Sequence, residues 1–324
     1  MPIPHLLVRR VSFALACISV AACGAPPVGS ASGAVAISRT PSSAQTLTNG
    51  TSPVVVTSDA SQNDVVICSQ PSACNQCKTI GSGLSTPGGV ATTNGPGGNF
   101  AGTMLDYVAD SGNQRVVVFT DSCETVSVLD DSGYFPSDVA VARDGTVAVT
   151  NLCAAPSCTG AGNISFYARG SSHVTRVAKG LMSQYYYGAF DKHGNFYNDG
   201  LSGSTVKVGV VPRGSNSDKA TGISGIEFPG GIQVARNGTI NIDDQNCPCI
   251  QIYKGSDHAG TVSLPGVAKP VTFALDKNNK RLWVTDVTSR TVDEVKYPSG
   301  GKILYQFTGF SEPTGVGVMP PSKP

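Results

Sequence analysis

The sequence predicts an all-β fold, a six-bladed β-propeller of four-stranded blades, on three observations. One phrase returns along the chain: Pro136–Asn151 reads PSDVAVARDGTVAVTN, Pro229–Asp244 reads PGGIQVARNGTINIDD, and Pro270–Asp286 reads PVTFALDKNNKRLWVTD. Each copy is an alternating apolar strand, a tight turn on Gly or Asn, and a second alternating strand ending in Asp or Asn. Recurrence every roughly forty-odd residues marks radially repeated blades rather than a single-core domain. The second observation is a pair of fragments that complete each other. Ser52–Gly83 supplies a second, third and fourth strand without a first, and Glu312–Val318, EPTGVGV, supplies a first strand without the rest. Joined, they form one blade holding both ends of the domain, which closes the ring and protects its edges. The third is composition: Gly (38) and Pro (21) are abundant in 324 residues and no long stretch alternates at helical period, as many short strands joined by turns require.

The complete units follow in order. The first opens near Thr86–Gly89 and runs through Val90-Ala91-Thr92, Leu105–Asp110, Arg115–Phe119 and Thr125–Leu129. The next opens at Pro136, with Asn163–Ala168 and Val174–Ala178 behind its first hairpin. A degenerate unit starts at Tyr185, turns at Lys192–Asn195 and ends near Gly225. Another opens at Pro229, with strands at Ile250–Tyr253 and Thr261–Leu264, and the last opens at Pro270, followed by Thr291–Tyr297 and Lys302–Phe307. The propeller is expected over residues 51–320, with 321–324 a short tail.

Ahead of it, residues 1–22 carry the pattern of a secretion signal. Arg9 and Arg10 form a positive start, Val11–Ala22 is the apolar region, and the length is short for a membrane span. The segment closes on Val20-Ala21-Ala22-Cys23-Gly24, which resembles the bacterial lipobox. That resemblance implies lipidation of Cys23, an anchor in the cell envelope and, with Gly24 rather than Asp after the Cys, the outer membrane of a host that has one. Several acyl chains, each contributing roughly 0.8 kcal/mol per buried methylene, hold a protein stably on a bilayer. Residues 23–50 then form a tether of Ala, Ser, Gly, Pro and Thr with one charged side chain, Arg39, too polar to make a core.

Of ten cysteines, Cys17 leaves with the signal and Cys23 is the lipid site; the other eight are an even number in an exported chain, which argues for disulfides. Cys153 and Cys158 flank a short loop and are expected to pair. Cys247-Pro248-Cys249 is closer than disulfide geometry favours. Cys74-Asn75-Gln76-Cys77 is read as structural, because no helix follows it and no second Cys/His pair has metal spacing. A net charge of +1, with 14% charged residues, gives no basic stripe for nucleic acid and no acidic tail for a basic partner.

The copies above, EPTGVGV at Glu312 and YVADSGNQRVVVF at Tyr107–Phe119, resemble the NHL-repeat and gluconolactonase-like six-bladed propellers over roughly Ser52 to Pro320. That resemblance implies the fold well and the activity poorly, since hydrolases, lyases and binding modules share it. Its enzymes hold a divalent metal with Glu, Asn and Asp from the inner strands; Glu312 and Glu227 are the nearest Glu, both inside the ordinary blade-opening phrase. Its lyase relatives use a His base, whereas His173, His193 and His258 are expected in turns between outer strands or on the opposite face.

Two sets of residues are the candidate sites. Asp59, Asp110, Asn151, Asp199, Asp244 and Asp286 end the second strands, about one per blade, on the face where first strands begin. They are either a ring of oxygen ligands for Ca²⁺ or another divalent cation or side chains that cap their own turns. Recurrence in every blade speaks for capping. Tyr185, Tyr186 and Tyr187 replace the usual Pro-Gly or Pro-Ser and are either rim residues that stack on a sugar or peptide or packing between blades. No His–carboxylate pair and no nucleophile elbow is apparent. The sequence reading is thus a lipid-anchored, non-catalytic binding or scaffolding module with a protein, peptide or carbohydrate ligand. A metal-dependent hydrolase or lyase of the same fold is the alternative.

Overall fold

The computed structural model describes residues 53–69, 73–94 and 104–320; the signal segment, Cys23, the tether and the 321–324 tail lie outside them. Six four-stranded antiparallel sheets form the ring. Blade 1 joins β24 (Pro313–Met319) to β1 (Val54–Asp59), β2 (Asp64–Ser69) and β3 (Ala73–Cys77). Blade 2 is β4 (Pro87–Asn94), β5 (Met104–Asp110), β6 (Arg115–Thr120) and β7 (Thr125–Asp130); blade 3 is β8 (Tyr134–Val141), β9 (Val147–Ala154), β10 (Ala161–Tyr167) and β11 (Arg176–Ala178). Blade 4 is β12 (Gln184–Phe190), β13 (Phe196–Ser202), β14 (Thr205–Val211) and β15 (Lys219–Ala220). Blade 5 is β16 (Pro229–Val234), β17 (Ile240–Asp244), β18 (Cys249–Lys254) and β19 (Asp257–Ser263), and blade 6 is β20 (Pro270–Leu275), β21 (Arg281–Asp286), β22 (Thr291–Lys296) and β23 (Tyr305–Phe307).

The closure expected from the two fragments is present. β24 pairs with β1 from Val54↔Met319 to Asp59↔Pro313, so the last strand of the chain is the innermost strand of the first blade. This register also orients the molecule. Innermost strands start, and second strands end, on one face, here called the upper face. Val54 and Met319 sit together at the other end, so the described chain begins and ends on the lower face.

Because side chains alternate across a strand, each sheet has two apolar faces, and the core divides into six layers between neighbouring blades. The layer between blades 3 and 4, for example, packs Ile164 and Phe166 against Tyr185, Phe190 and Phe196. The closing layer, between blades 6 and 1, stacks Trp283 on Phe307 beside Val316 and Val318. Each fully buried aliphatic or aromatic side chain contributes about 1.5–3 kcal/mol, so stability is spread evenly round the ring.

All eight cysteines among the described residues pair: Cys68–Cys74, Cys77–Cys123, Cys153–Cys158 and Cys247–Cys249. The expected Cys153–Cys158 bridge is there, and Cys74 and Cys77 have different partners. Cys77–Cys123 ties the outer strand of blade 1 to the β6–β7 turn of blade 2. Its separation of 46 residues makes it the bridge that removes most entropy from the unfolded chain, about 4 kcal/mol on a loop-closure estimate.

The innermost strands begin in the same irregular way. Every blade shows a register shift just after its first residues, between Pro87 and Val90, Tyr185 and Gly188, Pro229 and Ile232, and Pro270 and Phe273 for instance. Such bulges re-aim side chains. Here they turn two residues per blade onto the upper rim of the channel: Gly88-Gly89, Ser137-Asp138, Tyr186-Tyr187, Gly230-Gly231, Val271-Thr272 and Thr314-Gly315.

Candidate functional site

Most of the acids that end second strands are held by backbone. Asp59 accepts the amides of Ser311, Glu312 and Gln62, and Asp244 those of Glu227, Phe228 and Asn246. Asp286 accepts Ala268, Lys269, Thr288 and Ser289. Asp110 accepts Ser85 and Asn113 and forms an ion pair of 2.7 Å with Arg115. In each case the acid clasps the residues just before the opening Pro of its own blade. Burial would push Asp286 up, but the amides of Ala268, Ser289 and Lys269 outweigh it and hold the carboxyl below its usual range. These four side chains do what turn capping requires. Glu312 and Glu227 belong to the same clasps through their backbone amides.

Blades 3 and 4 depart from this rule. In blade 3 the position holds Asn151, which pairs with Pro136 and donates to Asn163 and Ser165. In blade 4, Tyr185 pairs with Gly200, so the residue aligned with Asp59, Asp110, Asp244 and Asp286 is Gly200. Asp199 lies one residue earlier. Since a one-residue slip reverses the face of a strand, Asp199 points with the other series: Ser58, Ala109, Thr150, Asp243 and Thr285. The Gly is required at 200, because a Cβ there would overlap the Gln184 carbonyl.

The members of that series touch neighbouring bulges. Ser58 donates to the Gly88 carbonyl and Thr150 to the Tyr186 carbonyl at 2.8 Å. In blades 4 and 5 the series carries acids instead. Asp199 Oδ1 accepts the Tyr187 amide at 3.0 Å, and Asp138 Oδ2, from blade 3, accepts the next amide, Gly188, at 3.1 Å. Two carboxyls from different blades thus flank Tyr187. Asp138 lies against the backbone of Gly89, where any Cβ would overlap Oδ1. It faces the channel lumen, a cavity of about 110 Å³ lined by all six innermost strands.

Burial dominates the acid–base behaviour of this rim. It raises Asp138 to about 7, against the amides of Gly188 and Val139. It pushes Asp199 and Asp243 well above the ordinary carboxylate range, with the charge of Asp138 adding to the rise in Asp199 and those of Asp244 and then Asp199 to the rise in Asp243. Tyr187 is driven up by burial and then by Asp138, Asp199 and Asp243. Both oxygens of Asp243 have no hydrogen-bond partner, whereas the Gly230 amide of blade 5 acts on Asp199.

The tyrosines divide. Tyr185 occupies the Pro position, is wholly buried in the layer between blades 3 and 4, and its hydroxyl accepts the Met182 amide at 3.4 Å. Tyr186 and Tyr187, at the two bulge positions, lie on the rim. They form a cluster with Val271, Leu152, Leu201, Phe228 and Val287, drawn from four blades. Tyr186 meets Tyr187 at 6.2 Å and Phe228 edge-on at 5.7 Å.

The rim therefore gathers Asp138, Asp199, Asp243, Tyr186, Tyr187 and Phe228. Asp199, Tyr186 and Tyr187 were sequence candidates; Asp138 and Asp243 were not. Both had a signal. Asp138 is the only charged residue on the six innermost strands, and Asp243 doubles the terminal acid of its copy. Among the described residues no group of three or more His, Cys, Asp or Glu is placed to hold a metal ion. His173, His193 and His258 are exposed and remote from the rim, with His258 in the outer strand β19 rather than a turn.

No family model and no curated protein matches this chain. Solved structures do. A chain from the crystal structure of a nidogen/laminin complex superposes with a TM-score of 0.64 at 10% identity, covering 82% of this chain and 98% of that one. The crystal structure of a protein of unknown function from Bacteroides caccae gives a TM-score of 0.57 at 13% identity, again over 82% and 98%. At such identities the likeness is one of fold, and function has to be argued from the rim.

Proposed function

We propose that this chain is a lipid-anchored cell-envelope protein whose propeller, of the NHL-repeat and gluconolactonase-like kind, is a non-catalytic binding or scaffolding module. The observation that carries the reading is the division of roles on the upper face. The repeated acids clasp backbone, while the departures from the repeat collect in one sector as an aromatic cover over buried carboxyls. Aromatic rings with hydroxyls suit a peptide or carbohydrate ligand, giving contact area at low entropic cost. Among the described residues the histidines, His173, His193 and His258, are exposed and outside that sector.

The signal pattern, Cys23 and the tether supply the anchor. Radiolabelled palmitate should enter the wild-type protein and not Cys23→Ala, which should be released from envelope membranes; retention of Cys23→Ala on membranes would refute the anchor. For the module, an immobilised protein should retain peptide or glycan ligands that Tyr187→Ala does not.

The competing reading, a metal-dependent hydrolase or lyase, draws on the presence of three buried acids, Asp138, Asp199 and Asp243, near Tyr187. It requires stoichiometric Ca²⁺ or another divalent ion in the purified protein and turnover of a lactone or ester that Asp138→Asn abolishes.

A further inference from the structure

We propose that the rim of blades 3–5 is a binding site for an organic cation, an alkylammonium or guanidinium head held by Asp138, Asp199 and Asp243 beneath Tyr186, Tyr187 and Phe228. This rests on the reading of the domain as a binding module and names the chemistry of its ligand.

Three observations independent of one another lead there. Asp243, wholly buried, leaves both carboxyl oxygens without a partner. A buried polar group without a partner is destabilising, and native buried polar groups are paired or hold a ligand. Among the described residues no positive charge acts on Asp138, Asp199 or Asp243. The ion pairs among the described residues, Arg115–Asp110, Arg213–Asp144 and Arg281–Glu294, all lie elsewhere. Finally, Tyr187 is buried within reach of the charges of all three carboxyls, and aromatic rings attract cations. Of these residues Asp138 lines a channel cavity of about 110 Å³, which has room for a small cationic head.

The type of cation follows from the spacing. The acids come from three blades and do not converge as one metal's ligands. A head whose charge is spread over several N–H or C–H groups can reach separate carboxyls, each as a charge-assisted hydrogen bond. Binding draws the carboxyls into their ionised form, so it releases protons and strengthens as pH rises. The titratable groups facing the site are Asp138 on β8, Tyr186 and Tyr187 on β12, Asp199 on β13, and Asp243 with Asp244 on β17. The other innermost strands, β4, β16, β20 and β24, carry no charged residue.

Titration calorimetry on the purified full chain at pH 7.5 tests this, with methylguanidinium and butylammonium chlorides as probes and NaCl and CaCl₂ as controls. The expected result is saturable binding of an organic cation, at least tenfold weaker in Asp243→Asn, unchanged in Asp293→Asn, and weaker at pH 5. Tighter binding of a blocked Gly-Arg-Gly peptide than of methylguanidinium would assign the head to a polypeptide, and the reverse to a free amine; both support the site. Absence of saturable binding, equal binding by Asp243→Asn, or saturation by CaCl₂ alone would overturn it. Asp243→Asn is the variant of choice because its oxygens hold nothing in the fold, and its melting curve confirms folding. Lactone or ester turnover by the same sample would refute the binding-module reading instead, whatever the calorimetry gives.

Discussion

Asp243 and Asp244 are neighbours in one strand and stand for the two halves of the upper face. Asp244 looks back to its own blade and accepts three backbone amides; Asp243 looks the other way and accepts none. Asp59, Asp110 and Asp286 side with Asp244, whereas Asp138 and Asp199 accept amides of the blade 4 bulge instead of clasping the opening of a blade. An acid in a repeated phrase builds the repeat, and moving it by one residue along a strand takes it out of that service and turns it toward a neighbour's bulge. The regular blades use the rim for closure. The irregular sector leaves it chemically unsatisfied.

The largest effect should come from the tyrosines, which look alike in sequence and occupy different places. Tyr185→Ala, in the layer between blades 3 and 4, should cost about 4 kcal/mol by cavity formation, read as a lowered urea midpoint. Tyr187→Ala, on the rim, should cost about 2 kcal/mol and alter ligand retention. Equal losses would merge the two roles and weaken the distinction between packing and rim.

Acid dependence sharpens the contrast at somewhat smaller amplitude. Burial raises Asp138 to about 7, and Asp64, Asp131 and Asp218 to about 6, in the folded protein. The unfolded chain titrates near about 3.9. The folded state therefore binds protons more tightly in between. The stability these groups contribute is fully present below pH ~4 and is lost as pH rises through 6–7. The melting temperature should decline by several degrees from pH 5 to pH 8, and Asp138→Asn should flatten part of that decline. A melting temperature that rises over the same range would mean that the rim carboxyls are ionised and paired.

Much of this was legible in the sequence, for physical reasons. The ring closure could be read because a strand needs an edge partner, and only Glu312–Val318 could complete the fragment at Ser52. The clasps could be read as turn chemistry because they recur. The outermost strands were less legible: β11 starts at Arg176 rather than Val174 and β23 is only Tyr305–Phe307, short edges with little burial to fix them. Asp199 was assigned to the clasp series because it ends an apparent strand. The bulge at Tyr186-Tyr187 sets the register to Gly200 instead, and nothing local in the sequence reveals a bulge. Asp138 lay unnoticed inside the best copy of the phrase, since only superposing all six blades shows its position to be otherwise Gly, Thr or Tyr. The Cys77–Cys123 bridge joins two blades and requires the assembled ring.

The central claim is that one step along a strand separates an acid that builds the ring from one left free for a ligand. Thermal unfolding of Asp243→Asn and Asp244→Asn, side by side at pH 8, tests it most directly. Asp244→Asn should lose about 2 kcal/mol, because an amide keeps one acceptor oxygen for three clasped N–H groups. Asp243→Asn should be nearly unchanged, since burial favours the uncharged carboxyl there and neither oxygen holds a partner. A comparable loss in both would contradict the account.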